Sequence, residues 1–430
     1  MDRPSLSQLP ATQAEDRRVI NRLLVFFAVV YVVEGVGEVD GLIEQPLSFY
    51  LKEVHGWSAL QVSAYFTVFN FPWIIKPIYG AVSDFAPLFG YRRKPYLFAA
   101  NLIAAGAFFW VTQLTAPGQL LWALQLTAYA MAISSTVCGA VLVENGQRLG
   151  ESGRFVNQQW LWLNAATVFA SIVGGELAER LPPTSALHVA ATMVALAPLA
   201  VLFGTTFLIP ERKTRADIPA LRATFGSLVT AFRKRELWVV GIFLFLYYFN
   251  PGLNTPIYYF MTDDLKFSQG YIGVLGSIEA AGWIVGALLY RRFFEDISSK
   301  RILNLSIVLG TMTTAAFVFL AGETSAAILN FCGGFSAMVA TVATATLAAD
   351  YCPPRSEGFT FAMMMSIINL STSLSGTFGG FLFDRVFHGD LTLLILLSAA
   401  FTAFALVLVP FLRLGDKRQG QPVALTPGQA

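Results

Sequence analysis

Twelve stretches of this sequence are each long and apolar enough to cross a bilayer, and lipid leaves a chain few structural choices. They cover residues 21–52, 58–83, 95–114, 119–142, 155–179, 187–209, 237–261, 268–293, 301–321, 324–348, 357–384 and 391–412. A spanning helix needs about 20 mostly apolar residues. In hydrocarbon every backbone N–H and C=O must be paired within the protein, so segments of this length and composition become helices. Composition agrees: only 13% of residues are charged and 55% are hydrophobic, with 37 Phe. A water-facing surface carries about 25% charged residues. The expectation is an all-α polytopic membrane protein with twelve transmembrane helices.

Charge placement gives the orientation. With the N-terminus inside, 24 of the 29 Lys and Arg fall in inside segments and 4 (Lys52, Arg180, Lys266, Arg385) outside, while Lys76 lies within a span. Positive charge is retained on the cytoplasmic side. Both termini are therefore expected in the cytoplasm, in a multi-pass protein of the cell membrane. Connections are short except for 210–236, a basic, cytoplasmic linker. Within it, Leu221, Phe225, Leu228, Val229 and Phe232 form an apolar stripe beside Arg222, Arg233, Lys234 and Arg235. That pattern fits a helix lying on the membrane surface, or a solvated tether. The expected organisation is a six-helix bundle over 1–209, the linker 210–236, a second six-helix bundle over 237–415 and a disordered tail 416–430.

Several function classes drop out. Cys138, Cys332 and Cys352 are far apart, as are His55, His188 and His388, so no metal site and no disulfide framework is expected. No nucleophile–base set or nucleotide loop is present, so no enzyme and no cofactor is expected. The apolar start runs into Glu34 without a small-residue cleavage site and reads as a retained first helix.

The two halves repeat. With a shift of 210 residues, Pro46 meets Pro256, Phe49 meets Tyr259, Glu53 meets Asp263, Trp57 meets Phe267 and Ser58 meets Ser268, without a gap. Each half thus has an aromatic helix end, an acidic outer turn, an aromatic plug and a Ser N-cap. Two six-helix halves in parallel duplication resemble the major facilitator superfamily, in which substrate sits near the midplane between the halves. Gly80 to Asp84, followed by Gly90, Arg92 and Arg93, is similar to that superfamily's loop motif. The expected roles are gating: Asp84 caps a helix or pairs with the opposite half, and Arg92 and Arg93 lock the cytoplasmic side.

A narrower resemblance rests on Pro72-Trp73 through Lys76-Pro77, Ser83-Asp84, and Pro87 through Gly90-Tyr91-Arg92-Arg93-Lys94-Pro95. With Pro46-Leu-Ser-Phe-Tyr and Pro256-Ile-Tyr-Tyr-Phe, these stretches resemble the folate–biopterin transporter family. The resemblance implies proton-linked symport of a folate- or pterin-like small organic anion by alternating access.

Ionisable residues at membrane depth are functional candidates by default. Glu34 and Glu38 share a face of helix 1, and Asp40 and Glu44 form a second pair. With Glu279 among the glycines of helix 8, these five are the expected proton-coupling groups. Lys76, next to Trp73, needs a carboxylate or an anionic ligand. Asn70-Phe71-Pro72 and Asn250-Pro251-Gly252 interrupt helices 2 and 7, where freed backbone can line a cavity. The candidate substrate contacts are Lys76, Trp73, Gln45, Tyr248, Asn250, Tyr258 and Asn369. For Asn369 and its neighbours Ser366, Thr372 and Ser373, small-residue helix packing is an equal reading. The expected partners are a small-molecule substrate, a coupling ion in the form of a proton, and membrane lipid, with no nucleic acid, for a monomer. Two alternatives stay open: the same fold with a sugar, peptide-like or exported drug cargo, and a non-transporting assembly factor.

Overall fold

The computed structural model describes residues 11–211, 213, 235–289, 297–351 and 357–412, and every regular element among them is helical. Among the described residues, sixteen α-helices occupy the places of the twelve expected spans. Spans 1 to 6 are formed by α1 (Ala11–Gly37) with α2 (Glu44–His55), α3 (Ala59–Phe69) with α4 (Phe71–Ile74) and α5 (Lys76–Phe85), α6 (Lys94–Val111), α7 (Pro117–Leu149), α8 (Ser152–Arg180) and α9 (Pro183–Phe207). Spans 7 to 12 are α10 (Arg235–Tyr248) with α11 (Asn254–Asp263), α12 (Gln269–Leu289), α13 (Ser299–Ala316), α14 (Glu323–Asp350), α15 (Glu357–Phe381) and α16 (Leu391–Leu408). Nine of these helices are individually long and apolar enough to span. The expected surface helix of the linker lies outside the described residues, apart from Arg235, and so does the tail.

Span 1 differs from expectation. The sequence reads as one span over 21–52 that Gly35, Gly37 and Gly41 would let bend, and the helix is in fact broken between Gly37 and Glu44. Leu42 donates its N–H to the Val36 carbonyl at 3.0 Å, which folds the chain back over the end of α1. Gly41 is required there, because any Cβ would collide with the Val36 carbonyl. No proline announces this break. Gly35, Gly37 and Gly41 lower the helical preference by about 1 kcal/mol each relative to Ala, and the tight turn does the rest.

Span 2 is broken where expected, at Asn70, and again at Ile75 before Pro77. Pro72 has no N–H to give the carbonyl four residues back, that of Val68. The Gln125 side chain on α7 supplies that missing hydrogen bond. Span 7 is broken at Asn250-Pro251-Gly252 as expected, and α15 braces it. Ser371 Oγ donates to the Phe245 carbonyl at 2.6 Å, Ser375 Oγ donates to the Asn250 carbonyl, and Gly252 N donates to the Ser375 carbonyl at 2.9 Å.

The breaks carry the repeat into three dimensions. Under the 210-residue shift, Glu44, where α2 starts, falls on Asn254, where α11 starts. The caps at the starts of α3 and α12 also correspond. Gln61 reaches back to the Ser58 N–H at 3.0 Å, and Ser268 Oγ accepts the Tyr271 N–H at 3.1 Å.

By packing, the chain falls into two units, Met1–Phe225 with Phe267–Ser277, and Gly226–Lys266 with Ile278–Ala430. The first holds Phe26, Phe27, Tyr31 and Phe155 in one buried aromatic cluster, with Phe27 edge-on to Phe155 at 5.1 Å. The second is centred on buried Val240, Leu244, Ile307, Val339 and Met364.

Candidate functional site

Glu34, Ser135 and Lys76 form a continuous polar chain inside the first unit. Glu34 lies one turn before the end of α1 and is 7% exposed. The Ser135 hydroxyl, midway along α7, donates to Glu34 Oε1 at 2.6 Å. The same hydroxyl accepts from Lys76 Nζ at 3.0 Å. Lys76 opens α5, directly after the second break in span 2. Its ammonium sits 4.5 Å from the ring centre of Trp73, a cation–π contact. Glu34 Oε2 is buried and has no hydrogen-bond partner in the structure. Three helices and two chain breaks thus bring one buried carboxylate and one ammonium together through a hydroxyl.

The other carboxylates of span 1 do not share one helix face, because the break separates them. Glu38, half-buried, stands on the break, and Asp40 is exposed on it. Glu44 is the first residue of α2, where the helix dipole favours a negative charge. Gln45 donates to both the backbone carbonyl and the side-chain oxygen of Gln269, at 2.7 and 3.0 Å.

In the second unit, the Tyr248 hydroxyl meets Thr344 Oγ1 at 2.9 Å, and Asn250 donates to Thr402 Oγ1 at 3.0 Å. Tyr258 is buried, with its ring 6.0 Å from that of Tyr259. Asn369 is half-buried on α15. Glu279 is exposed, while its backbone packs against Gly334 of α14. Tyr248 and Asn250 are thus held in separate contacts, one with Thr344 and the other with Thr402. Among the described residues no three His, Cys, Asp or Glu side chains cluster as a metal site would need.

The loop motif forms a second charged centre. Arg93 is 3% exposed. Its guanidinium bonds Ser83 Oγ at 2.6 Å, Glu144 Oε1 at 2.6 Å and the Asp84 carboxylate. Arg92 lies 3.3 Å from Asp84 and 3.6 Å from Glu144. The Asp84 partners are thus arginines of its own unit, where pairing with the opposite half had been one expectation. The Glu211 carboxylate accepts the backbone N–H groups of Arg92, Arg93 and Lys94 at 2.6, 2.8 and 2.9 Å. These are donors that the start of α6 would otherwise leave unpaired.

Sequence reasoning missed Ser135, Glu144 and Glu211. Ser135 had a faint signal, the hydroxyl run Ser134-Ser135-Thr136 inside an apolar span. Glu144 came into reach because α7, 33 residues and about 50 Å long, runs past the end of the expected span.

Comparison with solved structures gives the fold. The chain is similar to the nucleoside transporter NupG, with a TM-score of 0.66 at 13% identity over 92% of this chain and 98% of that one. It is similar to a D-xylose-proton symporter, again at 0.66 and 13%, over 90% and 97%. The fold is the major-facilitator fold. Among curated proteins, a folate-biopterin transporter of Synechocystis sp. is 27% identical over 90% of this chain and 81% of its own length. Folate transporter 2 of Plasmodium falciparum is 23% identical over 89% and 87%. The model of the BT1 family matches residues 35–419. The chain is a multi-pass membrane transporter for a small molecule, and it belongs to the BT1 family.

Proposed function

We propose that this transporter is a proton-coupled symporter of a folate- or pterin-like organic anion, with Lys76 receiving the anion and Glu34 carrying the proton. The observation that carries this reading is the polar chain Lys76–Ser135–Glu34, which runs from a half-buried ammonium to a buried carboxylate. An ammonium has three donors, and Ser135 takes one, so the rest can meet a substrate carboxylate. An anion bound at Lys76 leaves Glu34 as a buried charge without a counter-charge, and a proton neutralises it. Release of the anion restores the pair, and the proton leaves. Anion and proton thus move together through charge balance at one site. Trp73 offers a ring face beside the ammonium, and Tyr248, Asn250, Tyr258 and Asn369 are the second unit's proposed substrate contacts. Glu38, Asp40, Glu44 and Glu279 are further candidates for the proton path. The printed names of the curated relatives, folate and folate-biopterin transporters, support the cargo class. The charge split supports a cell membrane location with both termini inside, and Asp84, Arg92 and Arg93 act as the cytoplasmic lock.

The test is uptake of radiolabelled folic acid and biopterin by proteoliposomes under an inside-alkaline gradient. Uptake should rise with the gradient, disappear in Lys76→Ala and lose its gradient dependence in Glu34→Gln. Gradient-driven uptake surviving in Glu34→Gln removes the coupling role. No folate or pterin flux, with competition by a sugar or peptide instead, removes the cargo.

A further inference from the structure

We infer that Ser135 is a positioning residue that holds Lys76 and Glu34 apart, keeping each open to its own ligand. The inference rests on the functional reading above and deepens it. The ammonium and the carboxylate are not within 4.0 Å of each other, yet both touch the same hydroxyl, at 3.0 and 2.6 Å. That hydroxyl is fixed: Ser135 is buried on α7, next to Ser134, which is itself bonded to Asn101 at 2.8 Å. In a low-dielectric interior, opposite charges with nothing between them close into a direct pair. A direct pair would occupy the ammonium with Glu34, and an incoming anion would first have to displace that carboxylate. With the hydroxyl between them, the charges still attract, but the pair stays separated. Glu34 Oε2, buried and without a hydrogen-bond partner, is left for the proton. A serine is what this geometry needs, because one hydroxyl can accept from nitrogen and donate to a carboxylate at once. Alanine can do neither, and threonine can do both.

The test uses the full-length protein and two readouts. Infrared difference spectra across a pH change follow the carbonyl stretch of protonated Glu34, assigned by its loss in Glu34→Gln. The band should move to higher wavenumber in Ser135→Ala, which removes the donor, and stay in place in Ser135→Thr. In parallel, the KM for folic acid should rise about tenfold in Ser135→Ala, the scale of one lost charged hydrogen bond, with recovery in Ser135→Thr. Thermal melting checks that both variants fold. A Glu34 band and a KM unchanged in Ser135→Ala overturn the inference while leaving the functional reading intact. Absence of any band assignable to Glu34 removes the functional reading and this inference with it. The spectroscopic arm needs no cargo, so it decides the role of Ser135 even where folic acid is not carried.

Discussion

Gly252 and Gly379 touch backbone to backbone. A Cβ on Gly379 would fall inside the van der Waals envelope of the Gly252 peptide. This contact lets α15 come close enough to satisfy the broken backbone of span 7. Gly379→Ala should therefore destabilise the protein by about 1–3 kcal/mol through overpacking. Gly106→Ala, where the new Cβ meets nothing within 4 Å, should be neutral or slightly stabilising. Melting temperatures in detergent compare the two, and equal behaviour would count against the close approach.

The Arg93 site should not accept lysine. Its guanidinium serves Ser83, Asp84 and Glu144 together, a fork that a single ammonium cannot reproduce. Arg93→Lys should cost about 2 kcal/mol and slow uptake, the carboxylates being partly exposed and the penalty correspondingly moderate. Glu144→Gln, which keeps an acceptor, should cost less. A melting temperature for Arg93→Lys equal to that of the parent would sink the assignment.

Glu211 should act as a helix cap from a distance. It closes three backbone N–H groups at the start of α6. Removing a cap of this kind costs about 1–2 kcal/mol. Glu211→Ala should therefore lower the melting temperature and speed tryptic cleavage at Arg92 and Arg93, read as the rate of fragment appearance. Unchanged cleavage would show that the cap does not hold the loop.

Lys76 and Glu34 should be energetically coupled despite the serine between them. Lys76→Met leaves the buried Glu34, and Glu34→Gln the half-buried Lys76, without its opposite charge. The double variant should be more stable than the sum of the two predicts, by about 1–3 kcal/mol. Additive losses in a double-mutant cycle on melting would mean that the two charges do not sense each other.

Much of this was legible in the sequence, because lipid imposes simple rules. Apolar length gave the spans, and the proline-marked breaks at Pro72 and Pro251 appear where the missing N–H required them. In span 1 the glycines pointed to a bend but not to a full break. Its turn is made by glycines without a proline, and glycine lowers helix preference without forbidding a helix. The repeat held the clue, since residues 40–42 fall on Asn250-Pro251-Gly252. Lys76 and Glu34 stood out because charge is rare at that depth. Ser135 did not, since a serine facing a helix's own backbone and one bridging two charges read alike. Ser371 and Ser375, on the same helix as the candidate Asn369, show another use of such hydroxyls: they hold a neighbouring helix's broken backbone.

The paired breaks of spans 1 and 7 share a position and differ in substance. One carries Glu38 and Asp40, while the other carries asparagine, proline and glycine. The 210-residue shift thus pairs two weak points in the backbone that differ in chemistry. Of the two equivalent joints, only that of span 1 holds groups that can gain or lose a proton, so protonation can alter one and leave the other untouched.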